Sequence, residues 1–444
     1  MFYCENNSII DRDDEVNAFP QPFLWGATFG GHSVEGGNYA SDWWRWEQRP
    51  GRIRDGSNSQ VAAGHLDRFE GDFELARRFG LNAALVSLEW ARIEPEPGRL
   101  DTAVLDHYAT VLAAMRTRGI EPICALVHVT TPDWFAQRGG WAAADAAARF
   151  QVHAERMAQT FATECRWWIT LYEPMNTVYQ GYIEGRWPPG RRNVLAAALR
   201  VRTHLVEAHK RAFTALHAAR TDVRVGVALR ACKAVPADPE RSWDFHAARF
   251  LHAWPHAFLR TKAASAGACL FREPHGHTDL DLDFLGVSFY GVERARFNAF
   301  RPGSAFTGRA DEDHTADAEA FGHAVLEMAR YGVPLIVTGN GIATDDDTVR
   351  CRYLLDHLAE LARVIQGGAD VRGYVYRAFL DGFEWTQGYS ARFGLVHVDR
   401  RTLARTPNPS AYLYKGICET GTFRPGMAQR FCPEWRGPSG ECKS

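Results

Sequence analysis

The feature that most constrains this chain is an alternation. Eight short runs rich in β-forming residues are each followed by a polar or Gly-bearing loop and then by a stretch with helical periodicity. The runs fall at 23–26, 83–87, 122–127, 168–171, 224–228, 284–287, 335–337 and 373–376. Between them, Leu66, Phe69, Phe73 and Ala76 share one helical face, as do Leu105, Tyr108, Leu112 and Met115, while the opposite faces carry Asp, Glu and Arg. Strands separated by crossover helices pair in parallel, and eight of them can close on themselves. The pattern predicts an α/β fold, a single (β/α)8 TIM barrel with elaborated βα loops. The length of 444 residues suits one such unit, since no long low-complexity linker or internal repeat divides the chain. The expected organisation is an amino-terminal extension over 1–19, the barrel over 20–420, and a Gly- and Pro-bearing surface tail over 421–444.

Composition excludes several classes of function. Lys plus Arg number 51 against 53 Asp plus Glu, a net charge of −2, so the basic footprint of a nucleic-acid binder is missing. No stretch approaches 18 uninterrupted apolar residues, which argues against a membrane span. The first 22 residues carry Glu5, Asp11, Asp13, Asp14 and Glu15 without a signal-like apolar run, and a cytoplasmic location is expected. Nine cysteines, scattered and without a CxxC pair, predict free and mostly buried thiols. The 17 histidines form no HExxH or close ligand triplet, so no metal is expected. The paired glycines at 36–37, 139–140 and 367–368 make no GxGxxG after a strand, so no nucleotide or other cofactor is expected either.

In a barrel of this kind the chemistry projects from the carboxyl ends of the strands. Reading those ends gives His32 and Ser33, Arg92, His128, Tyr172 and Glu173, Arg230, Tyr290, Gly339 and Asn340, then Arg377, Glu384 and Trp385. Singly, each is an ordinary rim residue. Together they make a polar and aromatic mouth suited to a small molecule.

Several ordered blocks sharpen that reading. They are FLWG from Phe23 and VEGGN from Val34, SDWWRWE from Ser41, SLEWARIEP from Ser87, His128 with TTP from Thr130, WITLYEP from Trp168, DFLGVSFY from Asp283, PLIVTGNGIA from Pro334 and YRAFLDGFEW from Tyr376. From about Pro20 to Ile417 the chain resembles glycoside hydrolase family 1, the β-glucosidase family. The resemblance implies a retaining double displacement, in which one carboxyl protonates the leaving oxygen and a second attacks the anomeric carbon. Glu173 matches the acid/base. The family's Thr-Glu-Asn-Gly is here Thr338-Gly339-Asn340-Gly341, so the nucleophile position has no side chain.

Other family positions depart with it. The first-loop Gln falls on Ser33, the Asn before the acid/base on Tyr172, the Asn of the sixth strand on Ser288, and the platform Trp on Arg377. His128, Tyr290, Glu384 and Trp385 are retained; the resemblance has them contact sugar hydroxyls or, for Tyr290, the nucleophile. Arg92 is matched to an Arg beside the nucleophile. A buried guanidinium without its partner is costly, so a ligand carboxylate or phosphate, or a relocated acidic side chain, is expected in the space at Gly339. The alternative is a water-filled gap with Arg92 paired to a neighbouring acid.

Three functions are compatible with these residues. The first is an enzyme using Glu173 as general acid/base in a non-classical reaction on a small glycoside or specialised metabolite, one able to carry a carboxylate or phosphate. The second is a non-catalytic small-molecule-binding pseudoglycosidase. The third is a conventional β-glycosidase whose nucleophile was removed by engineering.

Overall fold

The computed structural model describes residues 17–260, 278–297, 317–435 and 437. Eight strands close into a barrel: β1 Leu24–Phe29, β2 Ala83–Ser87, β3 Glu121–Ala125, β4 Trp167–Tyr172, β5 Arg224–Arg230, β6 Phe284–Phe289, β7 Leu335–Asn340 and β8 Val371–Tyr376. Every neighbouring pair is parallel, and β8 closes on β1 through Gly373 opposite Leu24. The crossovers carry α1 His65–Arg78, α2 Thr102–Thr117, α3 Ala146–Phe161, α4 Leu195–Ala219, α5 Ser242–Ala253, α6 Ala318–Ala329, α7 Asp347–Gln366 and α8 Pro409–Thr420. Asp101, Asp317 and Asp346 cap α2, α6 and α7 by accepting hydrogen bonds from first-turn backbone N–H groups.

Strand alternation divides the core in two. Ala83, Leu85, Ile123, Ala125, Ile169, Ala228, Phe284, Ile336 and Val375 pack in one cluster inside the barrel, with Tyr172 joining it at the mouth. The intervening residues, Val86, Cys124, Trp168, Val227, Val287, Val337 and Tyr374 among them, meet the helices in a second and larger cluster. Each large apolar side chain so buried contributes roughly 1.5–3 kcal/mol. Strands are packed tightly enough that a Cβ on Gly226 would lie 2.4 Å from the carbonyl oxygen of Phe284.

All eight expected runs are strands. Five go further than their apolar stretch, β1 to Phe29, β4 to Tyr172, β5 to Arg230, β6 to Phe289 and β7 to Asn340, because the parallel ladder continues, for example through Phe29 opposite Val86, Arg230 opposite Ser288 and Gly339 opposite Ser288. Three small sheets were not expected. Lys233–Pro236 pairs with Val292–Ala295, Val396–Val398 with Arg405–Pro407, and Asn17–Ala18 with Thr422–Phe423. The last of these draws part of the expected tail onto the barrel, where Phe423, Cys432 and Trp435 are buried and the Trp435 indole donates to Asp356 at 2.8 Å. Residues 1–16 and 438–444 lie outside the described residues, as do Cys4, Cys269 and Cys442. Cys124, Cys165, Cys232, Cys351, Cys418 and Cys432 are free thiols. Among the described residues no helix is long and apolar enough to cross a membrane.

Candidate active site

Glu173 follows the last residue of β4 and begins a short helix, Pro174–Val178. Its backbone is left-handed, at φ 49° and ψ 50°, an unfavourable conformation for a side-chain-bearing residue. The strand ladder imposes it: the Glu173 N–H still donates to Ala228 O on β5 at 2.8 Å, and Pro174 starts the helix immediately afterwards. Glu173 is 6% exposed. Ser288 Oγ on β6 donates to Oε1 at 2.6 Å, and Asn176 Nδ2 donates to Oε2 at 3.1 Å. Both oxygens are thus oriented by neutral donors from two elements.

The room beside Gly339 is filled. A Cβ there would lie 2.5 Å from the Tyr290 hydroxyl, 2.6 Å from the Tyr172 hydroxyl and 3.2 Å from Ser288 Cβ. These two rings take the space in which a ligand carboxylate or phosphate or a relocated acid was expected, or, in the alternative, water. Tyr172 donates to Thr338 O at 3.0 Å, and the two phenol oxygens are 3.4 Å apart. Burial, reinforced for Tyr290 by nearby Glu173, pushes the Tyr290 phenol up to about 12, and burial pushes the Tyr172 phenol well above its ordinary value. Both remain protonated donors.

Arg92 follows the alternative reading, in which it pairs with a neighbouring acid. Arg92 lies on the short helix Trp90–Ile93, which carries its side chain toward the loop after β1. There it pairs with Glu35 at 3.2 Å and donates to the carbonyls of Gly36 and Gly37 at 2.7 and 3.3 Å. Its partner is a neighbouring acid, not the space at Gly339. Arg230 pairs with Glu293 at 2.7 Å, and Arg377 makes a close ion pair with Glu384, both side chains being largely buried. The Arg230 and Arg377 guanidiniums lie 5.6 and 5.5 Å from the centre of the Tyr290 ring.

Asn340 is another correction. Its amide donates to Phe289 O at 2.9 Å and Tyr353 Oη at 2.8 Å, and accepts from Tyr374 Oη at 2.8 Å. These contacts tie β7 to the barrel wall, and the fully buried side chain has no capacity directed to a ligand.

The remaining expected residues do form the mouth. Trp385 stacks on His32 at 5.6 Å with the planes 9° apart and meets Trp43 and Trp187 at 4.7 and 6.0 Å. His32 is held by Glu47 at 3.3 Å and Asn38 at 3.4 Å. The ring of His128 lies 4.2 Å from that of Tyr172, and burial together with Arg377 pushes its pKa down to about 3, keeping it neutral. Ser33 is buried, and its carbonyl accepts from the Phe383 N–H at 2.8 Å. Beside this aromatic wall a cavity of about 70 Å³ is lined by Asp42, Trp43, Thr131, Thr177, Tyr182 and Trp187.

Asn176 and Glu293 are among the residues at the site that escaped sequence reasoning. Asn176 was detectable, being three residues past Glu173 in a helical start. Glu293 was not, because it sits on Val292–Ala295, too short and polar to register as a strand. Among the described residues no group of three side chains is placed to hold a metal ion.

A sequence model of "Glycosyl hydrolase family 1" matches residues 15–267 and 306–423. Beta-glucosidase A of Thermotoga maritima is 29% identical over 438 residues, covering 90% of this chain and 98% of that protein. The beta-glucosidase of an Agrobacterium species is 29% identical, covering 92% and 97%. Among solved structures, the family 1 b-glucosidase from Thermotoga maritima superposes with a TM-score of 0.83 at 26% identity, covering 92% of this chain and all of that one, 100%. The beta-glycosidase from Pyrococcus horikoshii gives 0.81 at 30%, covering 94% and 98%. The Thermotoga maritima enzyme has also been solved with deoxynojirimycin, at a TM-score of 0.81 and 26% identity with 91% and 99% covered.

Proposed function

The chain belongs to glycosyl hydrolase family 1, and from that premise we propose that it is a β-glucosidase-like barrel enzyme in which Glu173 is the acid/base carboxyl and no nucleophilic carboxylate remains. It acts on a small molecule by a route other than double displacement. The observation that carries this reading is the pairing of opposites around Ser288: Glu173 is retained, buried and held by two donors, while the tyrosine hydroxyls crowd Gly339. A glycosyl-enzyme needs an attacking oxygen on the face opposite the acid/base, and Gly339 offers none. A single engineered substitution would leave an empty space there, so the filled one favours a site adapted as a whole.

The ligand in this proposal is uncharged at the arginine side. Arg92, Arg230 and Arg377 each have a carboxylate partner, and a ligand carboxylate or phosphate would have to take Arg377 from Glu384. That same ion pair favours a second reading. With Glu384 engaged by Arg377, a carboxyl expected to hold sugar hydroxyls is occupied, as suits a barrel that binds a small molecule without turning it over.

Untargeted metabolite profiling of a cell extract, incubated with the wild-type protein or Glu173→Gln, tests the proposal. The expected result is a metabolite consumed by the wild type and consumed about 100-fold more slowly or not at all by the variant, with unchanged thermal melting. Equal consumption by both overturns the role of Glu173. A ligand that co-purifies while nothing is consumed establishes the second reading.

A further inference from the structure

The position next to Gly339 has changed electrostatic character. The family resemblance puts a carboxylate there, suited to a reacting centre that becomes positive; this chain puts two hydrogen-bond donors there. Of the two, Tyr172 already spends its proton on Thr338 O at 3.0 Å. Among the described residues Tyr290 then has only the Tyr172 oxygen to donate to, at 3.4 Å, longer than an ordinary O–H···O bond. Its proton is available to a ligand. The Tyr290 hydroxyl and the Glu173 carboxyl are neighbours around one residue: the Cβ position at Gly339 is 2.5 Å from the hydroxyl and 3.2 Å from Ser288 Cβ, and Ser288 Oγ holds Glu173 at 2.6 Å.

We propose that Tyr290 donates a hydrogen bond to a substrate oxygen that gains negative charge during the reaction, with Tyr172 as its positioning residue, and that the substrate is an enolisable carbonyl compound whose proton Glu173 moves. The inference rests on Glu173 being the acid/base. The Glu173 carboxylate takes a proton from the carbon beside the carbonyl, the C–H electron pair becomes the new C=C bond, and the carbonyl π pair moves onto the oxygen held by Tyr290. In a substrate with a C=C bond one carbon further on, Glu173 returns the same proton on the same face to the far carbon of that bond: the oxygen pair re-forms the carbonyl, the enolate C=C pair moves one bond along, and the pair of the original C=C bond takes the proton, so the product is the conjugated isomer and no oxidant, reductant or co-reactant is consumed. Burial keeps Tyr290 a phenol, pushed up to about 12, which suits a donor and not a nucleophile. Arg230 and Arg377, anchored by Glu293 and Glu384, flank its ring and hold the hydroxyl in place.

The test uses 4-nitrophenolate as a stable mimic of the enolate oxygen, with its ionisation on binding followed by absorbance, and nitrobenzene as the control lacking that oxygen. The wild type is expected to bind 4-nitrophenolate in preference to nitrobenzene. Tyr290→Phe should weaken phenolate binding by about 10- to 100-fold, the ordinary worth of one hydrogen bond to a charged oxygen. Tyr172→Phe should weaken it less, and Glu173→Gln should leave it equal or tighter, because a like charge has been removed. No preference over nitrobenzene in the wild type, or equal binding by Tyr290→Phe, overturns the assignment. If either result accompanies loss of extract turnover in Glu173→Gln, the donor role falls and the acid/base role stands. If Glu173→Gln turns over normally, the acid/base role falls whatever the phenolate does.

Discussion

On the β4–β6 side of the mouth, the buried carboxyl of Glu173 is oriented by neutral donors, Ser288 at 2.6 Å and Asn176 at 3.1 Å, whereas on the β8 side the equally buried carboxyl of Glu384 is closed by the guanidinium of Arg377. The first can trade a proton with a ligand while keeping both hydrogen bonds. The second cannot leave its partner without stranding a charge. Burial pushes the Glu384 carboxyl above the ordinary range despite the attraction of Arg377, so the pair is held together by mutual need. Two carboxyls at similar depth are thus held differently, one by neutral donors that leave its proton exchangeable and the other by a guanidinium.

That difference breaks most visibly at Arg377. Arg377→Ala should destabilise the protein by about 3–5 kcal/mol, since it leaves Glu384 buried and unpaired, and Arg377→Met with Glu384→Gln should recover most of the loss. Urea unfolding midpoints measure both, and a single variant as stable as the double would dissolve the contrast drawn above. A smaller effect is expected at β7. Gly339→Ala forces a methyl to within 2.5–2.6 Å of two hydroxyls, an overpacking cost of about 1–3 kcal/mol. Combining it with Tyr172→Phe, which removes one of those oxygens, should return part of the loss in the same assay. Purely additive costs would mean the rings move aside freely.

Much of this site was legible before any coordinates. The periodicity located all eight strands, because a parallel strand covered on both faces must be apolar throughout its middle. Glu173, Tyr172, Tyr290, Arg377 and Glu384 were found because strand ends are where a barrel exposes its polar groups. Partners were the illegible part. Arg92 is two residues past Trp90 on a one-turn helix, and only the path of the loop through Gly36 and Gly37 decides that Glu35 meets it. Asn340 follows Gly339 directly, yet strand alternation turns it outward to Tyr353 and Tyr374. The filling of Gly339 depends on where two ring hydroxyls end, 167 positions from Tyr172 and 49 from Tyr290 along the chain, a distance no local pattern reports.

A difference in pH response separates the mouth from the wall less steeply. His128 has an ordinary value of 6.5 and is pushed by burial, and then by Arg377, to about 3 in the fold. Between those values the unfolded chain binds a proton that the native protein does not, so stability falls as pH drops below about 6.5, by up to about 1.4 kcal/mol per pH unit for each such group. His153, His209 and His357 in the outer shell act in the same direction, lowered to about 3, 4 and 3. Asp42 and Glu184, raised by burial to about 7, oppose them, binding protons in the fold as pH falls through 7. The four histidines each favour a loss of stability as pH falls from 6.5 towards 4, while Glu35, Glu121, Glu293, Asp356 and Glu384, also raised by burial, act with Asp42 and Glu184 in the opposite direction. His128→Gln should take about one proton out of the histidine share of the slope in unfolding measurements at successive pH values, and an unchanged slope would mean that His128 takes up its proton within the fold.

The smallest expected change in stability comes from Ser288→Ala, and it bears most directly on what the β4–β6 side is for. The hydroxyl lost is one of the two donors on Glu173, and a single hydrogen bond is worth about 1 kcal/mol to folding. If Ser288 merely filled space, turnover would follow that modest loss and Ser288→Thr would behave no better. If it aims Oε1, a carboxyl left to swing on the Asn176 bond alone spends less of its time in reach of the substrate, and turnover of the metabolite identified by profiling should fall about tenfold while substrate affinity holds. Ser288→Thr, which keeps the hydroxyl, should restore most of the rate. The telling outcome is the ratio of the two losses: a rate loss no larger than the loss of folding stability would place Glu173 in the same category as Glu384, a carboxyl whose purpose is to hold the mouth in shape.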